Sequence, residues 1–148
     1  MEDTVRQAFI AKVSQEPFAA RVGIRLVDIG EGYALCEMEC TETMANVHAM
    51  VHGGAIFSLI DEAFEISSNS HGTVAMALNM NVTYVRPPKV NTTIRAEARE
   101  VTRGNKTATY RIDVRDSEGL VAICEALAYR KRDRLPFLPV TSSPDGLG

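Results

Sequence analysis

The chain has no tryptophan, only three cysteines and six prolines in 148 residues. It also has no apolar run near the ~20 residues that a membrane-spanning helix requires. Each shortage excludes something. Cys36, Cys40 and Cys124 are odd in number and lack the paired spacing of a zinc site or a redox motif. They read as small apolar thiols packed in strands of a cytoplasmic protein, and no metal is expected. The stretch from Met1 to Phe9 carries Glu2, Asp3 and Arg6 and lacks the apolar segment of a secretory signal. No basic stripe or nucleic-acid-reading motif is present, so no nucleic-acid partner and no membrane is expected. What remains is 45% apolar and 24% charged residues, enough for one hydrophobic core and too apolar for a disordered chain.

The net charge of -3 hides an uneven distribution. Residues 1–85 sum to -7 and residues 86–148 to +4, an acidic front and a basic back. Such a split leaves room for an anionic ligand that the total would not suggest.

Hydrophobic spacing organises the rest. Val5, Phe9 and Val13 fall four apart in a short amphipathic helix over 4–14 that ends before Pro17. Ile24–Ile29 and Tyr33–Cys40 read as two strands of a hairpin turning at Gly30-Glu31-Gly32. Gly53 to Asn69 has no proline and is apolar over most of its girth, which predicts a long helix wrapped by other structure. Its polar residues Ser58, Asp61, Glu62, Glu65 and Asn69 fall three and four apart in one stripe. Four β-segments follow: Val74–Val85, Thr93–Thr102, a strand with Ala108, Tyr110, Ile112 and Val114 on one face, and Leu120–Tyr129. Residues 1–133 are expected to form one α+β domain, and residues 134–148 a mobile or loosely packed end. A single sheet covers one side of an apolar helix, so self-association is expected as well.

The residues able to do chemistry lie between Asn46 and Asp61. Two glycines at a helix start leave backbone N–H groups uncovered, and these, with the helix dipole, can receive a polarised carbonyl oxygen. A carboxylate further along can attack that carbon or activate a water toward it. Gly54 and Asp61 are seven residues apart, roughly 10 Å of helix, too far to act on one carbonyl. Cooperation between them therefore requires two chains.

The pattern Asn46-x5-His52-Gly53-Gly54-x6-Asp61, with Asn81-Val82-Thr83-Tyr84-Val85-Arg86-Pro87 closing a later β-segment, resembles the hotdog-fold acyl-CoA thioesterases. Over about Gly23 to Arg130 it is most similar to their phenylacetyl-CoA thioesterase-like branch. The resemblance implies an antiparallel sheet wrapped around one long central helix. It also implies edge-to-edge homodimers, commonly paired into tetramers, with two active sites per dimer. In these terms the Gly54 amide polarises the thioester carbonyl while Gly53 and His52 shape the turn. Asp61 of the partner chain is nucleophile or general base, and Asn46 helps hold the water or the carbonyl. No metal or redox cofactor is implied, since coenzyme A enters as part of the substrate. The chain departs from its relatives at Ala49, where many have glycine, and at Ala77, where some carry a hydroxyl. It departs again at Glu65, which could tune Asp61, touch a polar acyl group or face solvent. Coenzyme A phosphates need cations, and Arg86, Lys89, Arg103 and Lys106 flank two strand-end turns. Met50, Phe57 and Met80 are candidates for an apolar acyl pocket, which leaves aryl-acetyl, medium-chain and longer acyl groups open. Two other readings share this fold: a module that binds acyl-CoA without hydrolysis, and an enoyl-CoA hydratase using a His/acid pair.

Overall fold

The apolar spacing at Val5, Phe9 and Val13 gives helix α1, Asp3–Val13, which buries Phe9. A computed structural model describes residues 1–140, and the features below refer to these. Pro17 does more than end α1. It occupies the first turn of a second short helix, α2 (Pro17–Val22), because a proline there forfeits only an N–H that the helix would leave unpaired. Strands β1 (Arg25–Gly30) and β2 (Tyr33–Glu39) form the expected hairpin. Gly32 has a φ of +67°, and a Cβ there would meet the Glu100 Cβ at 2.9 Å, so only glycine fits. A short 3-10 turn, Glu42–Met44, leads into helix α3, Gly53–Asn69, which has the bounds its spacing predicts. Four strands follow: β3 (Thr73–Tyr84), β4 (Thr93–Arg103), β5 (Thr107–Asp116) and β6 (Gly119–Arg134).

The six strands form one antiparallel sheet in the order β1-β2-β4-β5-β6-β3, and α3 packs across it. Ala108, Tyr110, Ile112 and Val114 are all buried, as their alternation predicts, and Phe64 of α3 meets the Tyr110 ring edge-on at 5.5 Å. The sheet with its long central helix is the expected α+β hotdog arrangement. Two differences concern the end of the chain. Strand β6 runs five residues past Tyr129, through Arg130-Lys131-Arg132-Asp133-Arg134, because β3 supplies backbone partners such as Thr73 for Arg134 that side-chain character does not signal. Leu135 and Leu138 are then buried, and Phe137 packs edge-on against Phe9 at 5.1 Å, so this part of the end is docked. The rest of the expected tail, residues 141–148, lies outside the described residues.

The sheet's two edges differ. Along β1, Arg6 of α1 donates to the Ile29 carbonyl at 2.8 Å and pairs with Asp28, which covers that edge. The outer edge of β3 pairs with nothing among the described residues, and Met76 and Leu78 on it are 53% and 57% exposed. Asn69 fixes the start of this strand to α3: its Nδ2 donates to the Ala75 carbonyl at 3.1 Å, and its Oδ1 accepts from the Ala75 N–H at 2.9 Å.

Near the far end of α3, the Glu100 carboxylate accepts from His71 Nε2 at 2.7 Å and from the Tyr110 hydroxyl at 2.8 Å. Burial alone would raise this carboxyl, but the two hydrogen bonds outweigh it and hold it below its ordinary range. A depressed carboxyl contributes stability that is present above its unfolded value and lost as pH falls through the folded one. Tyr110→Phe is therefore expected to cost about 1–3 kcal/mol at pH 7, and less in acid, where Glu100 is protonated in both proteins. Urea denaturation at the two pH values measures the difference.

Candidate active site

The loop that precedes α3 is organised by Asn46. Its Oδ1 accepts from the His48 N–H at 2.8 Å and the Met50 N–H at 3.2 Å, while backbone bonds link Asn46 to Met50 and Ala49. This is an Asx-type turn, and it leaves only the Asn46 Nδ2 amide for a ligand. Ala49 takes a φ of +57° inside it, the left-handed conformation that glycine adopts without cost. The alanine noted in the sequence thus holds a conformation that glycine would adopt with less strain.

His52 is the N-cap of α3, and its Nδ1 accepts from the Gly54 N–H at 2.9 Å. That bond requires a neutral ring with its proton on Nε2. It also exchanges the roles expected of the two glycines. The Gly54 amide is committed to His52, whereas the Gly53 N–H has no acceptor among the described residues. Gly53 is tightly enclosed: the Tyr84 hydroxyl donates to its carbonyl at 3.2 Å, and a Cβ on it would lie 3.3 Å from the Tyr84 ring. The donor open to a carbonyl oxygen is therefore Gly53, one residue earlier than expected. The occupant of the Gly54 amide cannot be read from composition or spacing.

Asp61 lies eight residues beyond Gly53 on α3, about 12 Å along the axis. It is half-buried, and burial first, then the charge of Glu16, pushes its carboxyl above the ordinary aspartate range. The polar stripe on which it sits turns inward at Glu62, which is only 4% exposed. Glu65 is exposed overall, yet its carboxyl, crowded beside Glu16, is likewise raised, by partial desolvation first and then by the charges of Glu16 and Asp61. Glu16, which no sequence signal singled out, comes from the connection between α1 and α2.

The four candidate cations divide into two groups. Arg86 is bonded to Asp116 at 2.5 Å and lies 3.5 Å from Glu118, and Lys89 pairs with Glu118 at 3.3 Å. Arg86 therefore ties the end of β3 to the β5–β6 turn, and it is less free than Lys89 to meet a phosphate. Arg103 and Lys106 flank the β4–β5 turn at the other end of β5. Ten residues of strand, about 30 Å, separate the two groups. Within one chain they cannot hold the same phosphates. Gly53 shares the Arg86 end through its contact with Tyr84. Of the candidate acyl-pocket residues, Met50 is 41% exposed in the Asn46 loop, while Phe57 and Met80 are half-buried on α3 and β3.

A family model described as the thioesterase superfamily matches residues 48–123, which include the Asn46-loop residues from His48 onward, α3 and most of the sheet. An Archaeoglobus fulgidus relative is 41% identical over 113 residues, 76% of this chain and 73% of its own length. The chain belongs to the thioesterase superfamily. Another relative, the Escherichia coli acyl-coenzyme A thioesterase PaaI, is 32% identical over 121 residues, covering 81% of this chain and 86% of that protein. The solved structure of E. coli PaaI, a protein from the phenylacetic acid degradation operon, superposes with a TM-score of 0.84 at 30% identity over 88% of this chain and 96% of that one. A PaaI-like thioesterase, expected from the resemblance over Asn46–Asp61, is thus matched in both sequence and fold, and membership places the chain among thioester hydrolases.

Proposed function

We propose that this protein hydrolyses acyl-CoA thioesters to a free acid and coenzyme A, at sites made by two chains. The observation that carries the reading is the open Gly53 N–H at the N-terminus of α3, with Asp61 eight residues along the same helix. An amide there, aided by the helix dipole, stabilises negative charge developing on the thioester oxygen. Asp61 of the partner chain supplies the other half. It either takes a proton from the water whose oxygen bonds to the carbonyl carbon, or attacks that carbon itself and is released by water. In the first case the C–S bond breaks and the proton taken from water passes to the departing sulfur. In the second the thiolate leaves as an anion, and the water that hydrolyses the acyl–aspartyl anhydride supplies the proton that the thiolate takes up. In this reading Asn46 Nδ2, the part of the side chain that the turn leaves unspent, holds the water or the carbonyl, and His52 keeps the glycine turn in shape. The naming of E. coli PaaI as an acyl-coenzyme A thioesterase supports the substrate class.

The β3 edge supports the pairing. An unpaired twelve-residue edge with exposed Met76 and Leu78 invites a second strand, and the β1 edge is already covered. Val47, 95% exposed in the Asn46 loop, adds to the apolar surface that a partner would cover. Antiparallel pairing of two β3 strands sets the Gly53 end of one chain level with the Arg103 and Lys106 end of the other. Lys89 and Arg86 of one chain and Arg103 and Lys106 of its partner then share one mouth, which resolves their separation within a chain. Two such dimers give the tetramer that the family resemblance implies.

His52 weighs against the hydratase reading, because its Nδ1 is spent on Gly54. A thiol-release assay over aryl-acetyl, medium-chain and long-chain acyl-CoAs tests the proposal, and thiol release from at least one class is the expected result. Saturable acyl-CoA binding with no thiol release across that panel would instead establish a non-catalytic module. Loss of enoyl absorbance without thiol release would establish the hydratase.

A further inference from the structure

Glu16, Glu62 and Glu65 place one carboxylate oxygen each within 4.8 Å of one another. Glu16 belongs to the α1–α2 connection and the other two to α3, so the cluster joins elements far apart in sequence. An acidic cluster on a surface is ordinary, but this one has a buried member. Glu62 is 4% exposed, and its Oε1 is inaccessible and has no hydrogen-bond partner. A buried carboxylate with one oxygen unpartnered, and one oxygen within 4.8 Å of two more carboxylates, lacks a positive charge. No cation among the described residues provides it: Lys12 lines the neighbouring cleft, yet pairs with none of the three carboxylates. That cleft, of about 320 Å³, is lined by Glu16 and Glu65 together with Phe9, Ile66 and Phe137, and it gives an ion a way in from solvent.

We propose that Glu16, Glu62 and Glu65 bind a calcium-sized divalent cation that clasps the α1–α2 connection onto α3. All three donors are carboxylate oxygens, the ligand type of hard cations, and no cysteine or histidine joins them. Calcium binds oxygen at 2.3–2.6 Å, so two ligands on opposite sides of it lie about 5 Å apart, which accommodates the observed spread. Magnesium demands near-ideal octahedral geometry, which three carboxylates from two separate elements supply less readily than calcium's flexible shell requires. Water and the second oxygens of the carboxylates complete the coordination. The ion takes no part in thioester hydrolysis, and the inference stands whether or not the proposed activity does. It gives Glu65 a role that none of the sequence alternatives named.

Calorimetric titration of the full chain with Ca2+ at neutral pH tests it, with thermal melting as a second readout. One ion per chain, a dissociation constant below about 1 mM and a rise in Tm are expected. Glu62→Gln and, separately, the less buried Glu16→Gln should each weaken binding at least tenfold and remove the rise in Tm. Glu62→Gln keeps the size of the side chain while removing its charge, and Glu16→Gln guards against a folding defect at the buried position. The absence of a Ca2+ isotherm up to 10 mM in the unsubstituted protein would overturn the proposal, as would equal binding in the protein and both variants. A proton shared between Glu16 and Glu62 would then be what satisfies the buried oxygen.

Discussion

Asp61→Asn is expected to lower kcat for thiol release by about 10²–10⁴-fold while the chain folds and binds acyl-CoA as before. Asparagine keeps the shape of the side chain but cannot take a proton from water or attack a carbonyl as an anion. The half-buried position sharpens the expectation. Burial and the Glu16 charge oppose ionisation of Asp61, so the fold bears a cost for keeping a carboxylate there. Removing the charge should leave stability unchanged or slightly raised, the reverse of what a structural residue would show. Activity lost with Tm maintained separates a chemical role from a scaffolding one. Retained turnover in a clean preparation would remove Asp61 from the proposed mechanism, whatever its burial.

Placing acid on the open sheet edge should have an effect of similar size by a different route. Met76→Asp with Leu78→Asp is expected to convert the assembly to monomers and lower thiol release by about 10²-fold or more. Both side chains are more than half exposed, so the monomer's own core loses nothing. Two copies of the substituted strand would bring like charges together across their shared edge. Because Gly53 and Asp61 are about 12 Å apart along α3, a separated chain holds two half-sites and no whole one. Sedimentation and the thiol assay on the same sample check the claim. A monomer with full activity would show that each chain carries a complete site.

Much of this was legible in the sequence, and the parts that were not share a physical cause. Helix α3 kept its predicted bounds because glycines and a polar cap mark its start and its apolar spacing is continuous. Strand β5 kept its buried face because a half-buried strand alternates strictly. Local rules were insufficient where a partner distant in the chain decided the outcome. Pro17 reads as a stop, yet it starts α2. The alternation of the last β-segment stops at Tyr129, yet the basic run after it continues the strand against β3. Gly53 and Gly54 are indistinguishable as letters, and only the His52 ring nitrogen shows which amide is open. The two cationic turns look alike in sequence and prove to lie a strand's length apart. Glu62 reads as one more polar residue on a helix stripe, and its burial beside Glu16 depends on how the α1–α2 connection folds back.

The central claim is that each site takes Gly53 from one chain and Asp61 from another, and complementation tests it most directly. Gly53→Pro removes the open N–H at a helix position whose backbone tolerates proline, and His52 before it already has an extended backbone, with φ -64° and ψ 135°. The new ring requires the exposed Tyr84 side chain to shift by a few tenths of an ångström. Gly53→Pro and Asp61→Asn chains, each inactive alone, are co-expressed and allowed to pair at random. In a mixed dimer both defects fall on one site and the other site is intact, so about a quarter of the unsubstituted activity should return. If both groups belonged to the same chain, every site would carry one defect, and no activity would return.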